Sequence, residues 1–373
     1  MMKNLFSPLF QPYVFNNGVE VKNRLVVAPM THYGSNEDGS IGEAERRFLQ
    51  GRATGFGLFI TASTLVSPEG KTFEPQPCAF DEAHIASLKA TAGLIQAQGA
   101  KAILQIHHGG NLAVTAENIA PSASDKARAA SEDEIHGLIA AYARATALAL
   151  RAGFSGVEIH GANGYLIQQF FSAQSNRRSD PWGGSMENRL RFPLAVVDAV
   201  ITEKTRANRP DFIVGYRFSP EEAGDDGLTM ADCFALVDAL VQKPLQYLHV
   251  SLWDFYKKAR RGADADKTRI EQIHARIGGK LPLIGVGNLI GAGQVLAAFQ
   301  SGWAELIAVG KAVMLNPDFA VRLQNGDVAN LETAADPDRA DHYGYTEKLW
   351  QHQLRGLAYM PPLKGKDWQP MDI

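Results

Sequence analysis

The stretch "EIHGANGYLIQQFF", residues 158–171, places an imidazole, a carboxamide and a phenol within six positions, as His160, Asn163 and Tyr165. A turn here needs only Gly161 and Gly164, so the polar atoms of the other three call for a further use. Comparable residues close other short apolar runs: Thr31 after "VVAPM", Gln105, His107 and His108 in "AILQIHH", and Arg217 in "VGYRFS". Singly, each has a structural reading. Thr31 can cap a helix, Gln105 can satisfy loop amides, and Arg217 can pair with a buried carboxylate such as Glu158. Their recurrence at consecutive run ends is what points to a site.

Two later runs, "GVGN" (285–288) and "AVGK" (308–311), end in glycine followed by a polar residue. Backbone amides at Gly287, Asn288 and Gly310 suit a phosphate group, and Lys311 adds a cation. "GVGNLIGAG" is no dinucleotide fingerprint, because its spacing is not G-x-G-x-x-G and no suitably placed acidic residue follows.

The elements that must hold these residues are legible as eight short apolar runs: 24–30, 57–63, 102–107, 156–160, 212–219, 247–251, 282–287 and 306–310. Each is rich in branched residues and bounded by turn signals, as buried parallel strands are. Helical patterns lie between them, the clearest over 132–151, with Ser131 and Glu134 as a capping box and Gly153 as the stop. This alternation predicts a (β/α)8 TIM barrel with the chemistry at the C-terminal strand ends. An open doubly wound sheet is the alternative. The whole chain, 1–373, reads as one domain. A hairpin over about 11–23 turns at Asn17-Gly18 and plugs the N-terminal end of the barrel. A polar extension over about 336–373, with a helix around 344–358, packs on the barrel or reaches a neighbouring subunit in a homo-oligomer.

Composition narrows the class. The 373 residues are 45% hydrophobic and 21% charged, with a formal net charge of −3, so no basic face offers itself to nucleic acid. Two cysteines, Cys78 and Cys233, are too few for a zinc site, a cysteine-ligated cluster or a disulfide framework, and no metal is expected. The N-terminus lacks a signal-peptide core and no long uncharged apolar run exists, so a cytoplasmic protein without membrane contact is expected.

The blocks "APMTHY" (28–33), "LQIHHGG" (104–110), "HGANGYLIQQFFSAQSNRRSDPWGGSMENRLRF" (160–192), "VGYRFSP" (214–220), "VGN" (286–288) and "VGKAVMLNPDF" (309–319) resemble, in order, those of the old yellow enzyme family of FMN-dependent ene-reductases. The resemblance runs over about 6–325. It implies a barrel with non-covalent FMN, NADH or NADPH as reductant, and a small-molecule alkene conjugated to a carbonyl or nitro group as substrate. It further implies that Pro29, Met30, Thr31 and Ala62 line the flavin ring, and that Gln105 meets its pyrimidine edge. Arg217 would face the N1 edge, where a reduced flavin concentrates charge. Gly287, Asn288, Gly310 and Lys311 would hold the phosphate. His160 and Asn163 match the family's pair of donors to a substrate oxygen, Tyr165 its proton donor, and Tyr33 a substrate-pocket tyrosine.

Two positions depart from the family pattern. Lys311 stands where arginine is usual, keeping the charge without the bidentate fork. Asn111 also replaces a usual arginine. "NRRSDPWGGSMENR" reads as a loop held by arginine and asparagine hydrogen bonds, with Ser185 capping the following helix. The leading expectation is an FMN-dependent NAD(P)H oxidoreductase acting on activated alkenes. A flavin-dependent N-demethylase or quinone reductase on the same fold is the nearest alternative, and a barrel binding a phosphorylated ligand without redox chemistry is the most distant.

Overall fold

A computed structural model describes residues 4–371. All eight apolar runs are strands: β1 Leu25–Val27, β2 Leu58–Ile60, β3 Lys101–His107, β4 Gly156–Gly161, β5 Ile213–Phe218, β6 Tyr247–Val250, β7 Leu283–Gly285 and β8 Leu306–Val309. Each pairs in parallel with its sequence neighbours, and β8 pairs with β1, so the sheet closes and the open-sheet alternative falls. Closure leaves no edge strand and directs every strand's C-terminal end to one mouth. A helix follows each strand: 43–49, 85–97, 132–152, 186–206, 230–240, 269–277, 292–300 and 319–325.

Local chemistry explains the helix bounds. Glu132–Ala152 begins with the reciprocal Ser131–Glu134 capping box and stops at Gly153, whose φ of 85° is left-handed. It buries Ile135, Leu138, Tyr142 and Ala149 on the face that meets the barrel.

Inside the barrel, Val26, Leu58, Ile60, Ile103, Ile213, Ile284 and Leu306 form one buried cluster with Phe15 and Val21 of the N-terminal segment. Tyr13–Val14 pairs antiparallel with Glu20–Val21, and Asn16 Nδ2 donates to Leu245 O at 2.8 Å, on the chain entering β6. Gly215 on β5 makes room for an interior aromatic, since a Cβ there would lie 2.0 Å from the Tyr247 ring. The 344–358 helix is shorter than the sequence pattern, Glu347–Leu354, because a separate turn, Ala340–Tyr343, precedes it and ends at left-handed Gly344. Thr346 caps this helix and donates its hydroxyl to His32 O at 2.6 Å, tying the C-terminal segment to the loop after β1.

Candidate active site

Strand register sets the floor of the mouth. Gln105 lies abreast of Glu158 on β3 and β4, while His160, Arg217 and His249 lie abreast on β4, β5 and β6. Alternation along β4 sends Glu158 and His160 to the same interior face, one step apart. The fully buried Glu158 carboxylate accepts from Gln105 Nε2 at 2.8 Å, Tyr247 Oη at 3.1 Å and His249 Nδ1 at 2.9 Å. Burial opposes its charge, but His249, Arg217 and Gln105 outweigh that and hold its carboxyl below the usual carboxylate range. These contacts occupy the carboxylate, so the pairing of Arg217 with Glu158 weighed from sequence takes the form of a through-space attraction. With one Nε2 hydrogen of Gln105 engaged, its Oε1 and the second Nε2 hydrogen are left for a ligand.

Arg217 is buried and its Nε has no hydrogen-bond partner. Burial lowers its pKa and Glu158 partly restores it; a guanidinium stays charged regardless. One terminal nitrogen donates to Ser251 Oγ at 3.0 Å, and Ser251 Oγ donates to Asn163 Oδ1 at 2.8 Å. Arginine cannot accept, so the serine's proton is available to Asn163 Oδ1, and this orientation of the amide leaves Nδ2 free to donate. Asn163 is exposed, sits at a left-handed φ of 60°, and is pinned through its N–H to Ser219 Oγ at 2.8 Å.

His160 is buried with an unpartnered Nδ1, and burial, then His107, Arg217 and His249, push its pKa well below the ordinary value. It is therefore a neutral imidazole. Tyr165 packs against it at 5.3 Å between ring centres and against His107 at 4.5 Å. Burial, and then Tyr33, raise the Tyr165 pKa, so the phenol keeps its proton at neutral pH. Burial, and then His108, lower His107 to about 3, and its Nε2 shares a 3.2 Å hydrogen bond with Thr72. Tyr33, at a φ of 54°, stands between Phe73 and His352, with Lys348 4.7 Å from its ring centre.

The other end of the mouth is built from backbone. Gly287 has a φ of 146°, and a Cβ there would meet Phe255 N at 2.3 Å, so only glycine fits this close approach. Asn288, also left-handed, accepts from Lys311 Nζ at 3.2 Å. Gly310 is open, a Cβ there coming no closer than 3.5 Å, to Met30 Sδ. Pro29, Met30 and Thr31 are half-buried on the loop after β1, and the Ala62 carbonyl accepts from Thr61 and Thr64 hydroxyls.

These residues fit a flavin mononucleotide on grounds internal to the chain. A buried guanidinium keeps an unpartnered nitrogen, unpartnered imidazole nitrogens of His160 and His249 flank it on the neighbouring strands, and a half-buried lysine follows Gly310 at the end of β8. A closed parallel barrel carrying this constellation at its C-terminal mouth defines the class of flavin-dependent barrel oxidoreductases.

The chain belongs to the NADH:flavin oxidoreductase / NADH oxidase family, whose model matches residues 8–330, and thus to the old yellow enzymes. It is 45% identical over 370 residues to the probable NADH-dependent flavin oxidoreductase YqiG of Bacillus subtilis, covering 96% of this chain and 99% of that one. It is 36% identical to the NADH:fumarate oxidoreductase of Klebsiella pneumoniae, over 93% of this chain but only 39% of that protein. Among solved structures, the old yellow enzyme homologue from Zymomonas mobilis superposes with a TM-score of 0.75 at 27% identity, covering 91% of this chain and 98% of that one. The protein is an NAD(P)H-dependent flavin oxidoreductase that binds FMN non-covalently.

The structure thus brings Gln105, Arg217, His160, Asn163 and Tyr165 into one connected cluster, with Tyr33 electrostatically coupled to Tyr165, and Asn288 and Lys311 into a second. The arginines of the 177–189 loop are engaged in loop structure. Arg178 holds Asp180 and the Pro121 and Ala130 carbonyls, and Arg189 holds those of Phe171 and Gly184. Asn111 takes Ser124 Oγ and the Gln169 side chain as partners. Sequence reasoning missed Ser251, whose one signal is its place at the end of "YLHVS", and it saw Glu158 only as a partner for Arg217.

Proposed function

We propose that the enzyme reduces activated C=C bonds, in enones and related electrophilic alkenes, with His160 and Asn163 binding the carbonyl oxygen and Tyr165 protonating the α-carbon. The relay Arg217–Ser251–Asn163 carries this reading, because it leaves Asn163 with a free N–H donor beside a neutral histidine. FMN, held by the residues below, would supply the hydride. Two donors converging on one oxygen stabilise the negative charge that builds there as hydride arrives. Burial strengthens the interaction made by His160, and it raises the pKa of the Tyr165 phenol, which holds its proton until a carbanion-like carbon comes within reach.

In the same reading Gln105 and Arg217 position the pyrimidine edge, Arg217 opposing charge near N1, while Pro29, Met30, Thr31 and Ala62 line the ring. Gly287, Asn288, Gly310 and Lys311 hold the phosphate, and Tyr33 walls the substrate pocket. The whole chain acts as one FMN-binding unit. Both cysteines are buried free thiols, which suits a cytoplasmic enzyme, and among the described residues no helix is long and apolar enough to cross a membrane.

Stopped-flow measurement of the two half-reactions tests the assignment. Tyr165→Phe is expected to leave flavin reduction by NADH or NADPH near the wild-type rate and to slow enone reduction by roughly 10²-fold or more. Quinone reduction, which needs no carbon protonation, is expected to survive. Slowed flavin reduction with unchanged enone turnover would remove Tyr165 as the proton donor.

A further inference from the structure

The end of the chain returns to the phosphate end of the cradle. Lys311 Nζ lies 4.4 Å from the centre of the Trp368 ring and 3.2 Å from Asn288 Oδ1. Burial lowers its pKa, and no carboxylate opposes it among the described residues. The indole is firmly mounted. Trp368 is half-buried and donates from Nε1 to the carbonyl of buried Met360 at 3.1 Å. The turn that follows Met360 is fixed in its turn, with Gln353 Nε2 donating to Pro361 O at 2.9 Å and Ala335 N to Pro362 O at 2.7 Å. Residues 364–367 between the turn and the indole are exposed, so Trp368 is where the tail regains the barrel.

We propose that Trp368 is a cofactor-retaining residue, whose indole covers one side of Lys311 so that the ammonium, held between it and Asn288, turns its remaining face to the FMN phosphate. A lysine has no planar fork to grip a phosphate, and a freely hydrated ammonium is a weak substitute for arginine. The indole face attracts the cation and displaces water from it, which strengthens its pull on a dianion. The tail thereby makes up for the lysine. This inference rests on the assignment of Lys311 to the phosphate.

The test is the FMN dissociation constant and release rate of the full-length protein, read from flavin fluorescence, for wild type, Trp368→Ala, Trp368→Phe, Lys311→Met and the double variant Lys311→Met/Trp368→Ala. Trp368→Ala is expected to weaken binding by roughly tenfold, and Trp368→Phe, which retains an aromatic face, to stay within about threefold of wild type. In the Lys311→Met background the alanine is expected to cost nothing further. Wild-type affinity in Trp368→Ala, beside a weakened Lys311→Met, overturns the role of Trp368 and leaves the phosphate assignment standing. An undiminished loss in the double variant overturns it too, as would a Trp368→Phe as weak as the alanine. Unchanged affinity in Lys311→Met overturns the phosphate assignment itself.

Discussion

Single atoms decide the chemistry at the oxygen-binding pair. Asn163 Nδ2 can donate because Ser251 Oγ, itself accepting from Arg217, donates to its Oδ1. Ser251→Ala should therefore lower enone reduction by about tenfold through loss of amide orientation, a smaller effect than the roughly 10²–10³-fold expected for His160→Ala or Asn163→Ala. Single-turnover oxidation of the pre-reduced enzyme by an enone measures all three. Lys311 offers a second check at this scale. Desolvation lowers its pKa to about 8. A phosphate favours the protonated ammonium, so binding FMN above that pH requires proton uptake. Affinity should be level near pH 7, where the phosphate is a dianion and the lysine is charged, and fall by up to roughly tenfold per unit as pH rises through 8. Lys311→Arg should remove the slope over about pH 7–9.5, as titration of apoprotein with FMN would show.

The loops after β1, β6 and β7 are held by contacts that tolerate little change. Gly287 lets the chain after β7 press against the loop after β6, where Phe255 N donates to Gly287 O at 3.1 Å. Gly287→Ala pushes a Cβ into backbone at an unfavourable φ, and should cost about 2–4 kcal/mol of stability together with most FMN affinity. Denaturant unfolding and cofactor titration measure the two losses. Thr346 joins elements distant in sequence by capping Glu347–Leu354 while bonding His32 O. Thr346→Val, which removes both hydrogen bonds and keeps the shape, should cost about 1–2 kcal/mol in denaturant unfolding.

Across the whole barrel, the Glu158 carboxylate binds β3, β4 and β6 together at the centre. Its pKa is lower in the fold than in the unfolded chain, where it has the ordinary value. The unfolded chain takes up its proton first as pH falls. The stabilisation is therefore complete above the ordinary carboxylate range and lost as pH drops through the folded value. Glu158→Gln should destabilise the protein at pH 7 by roughly 2–4 kcal/mol and flatten its acid limb below about pH 4.5, seen as unfolding midpoints across pH.

Much of this was legible in the residues. The eight strands, the 132–152 helix with both caps, and the positions of His160, Asn163, Tyr165, Gln105 and Arg217 at strand ends follow from short-range patterning, which depends on neighbours a few residues apart. Resemblance to the old yellow enzymes supplied the cofactor. The tertiary structure alone decided which strand ends meet at what register, and so it alone brought Ser251 to Asn163 across 88 positions and His249 to Glu158 across 91. It also seated Trp368 over Lys311 and shortened the C-terminal helix. Such pairings carry no local signal: a serine at a strand end or a tryptophan in a polar tail has the same propensities whatever it faces, and only barrel closure determines the partner.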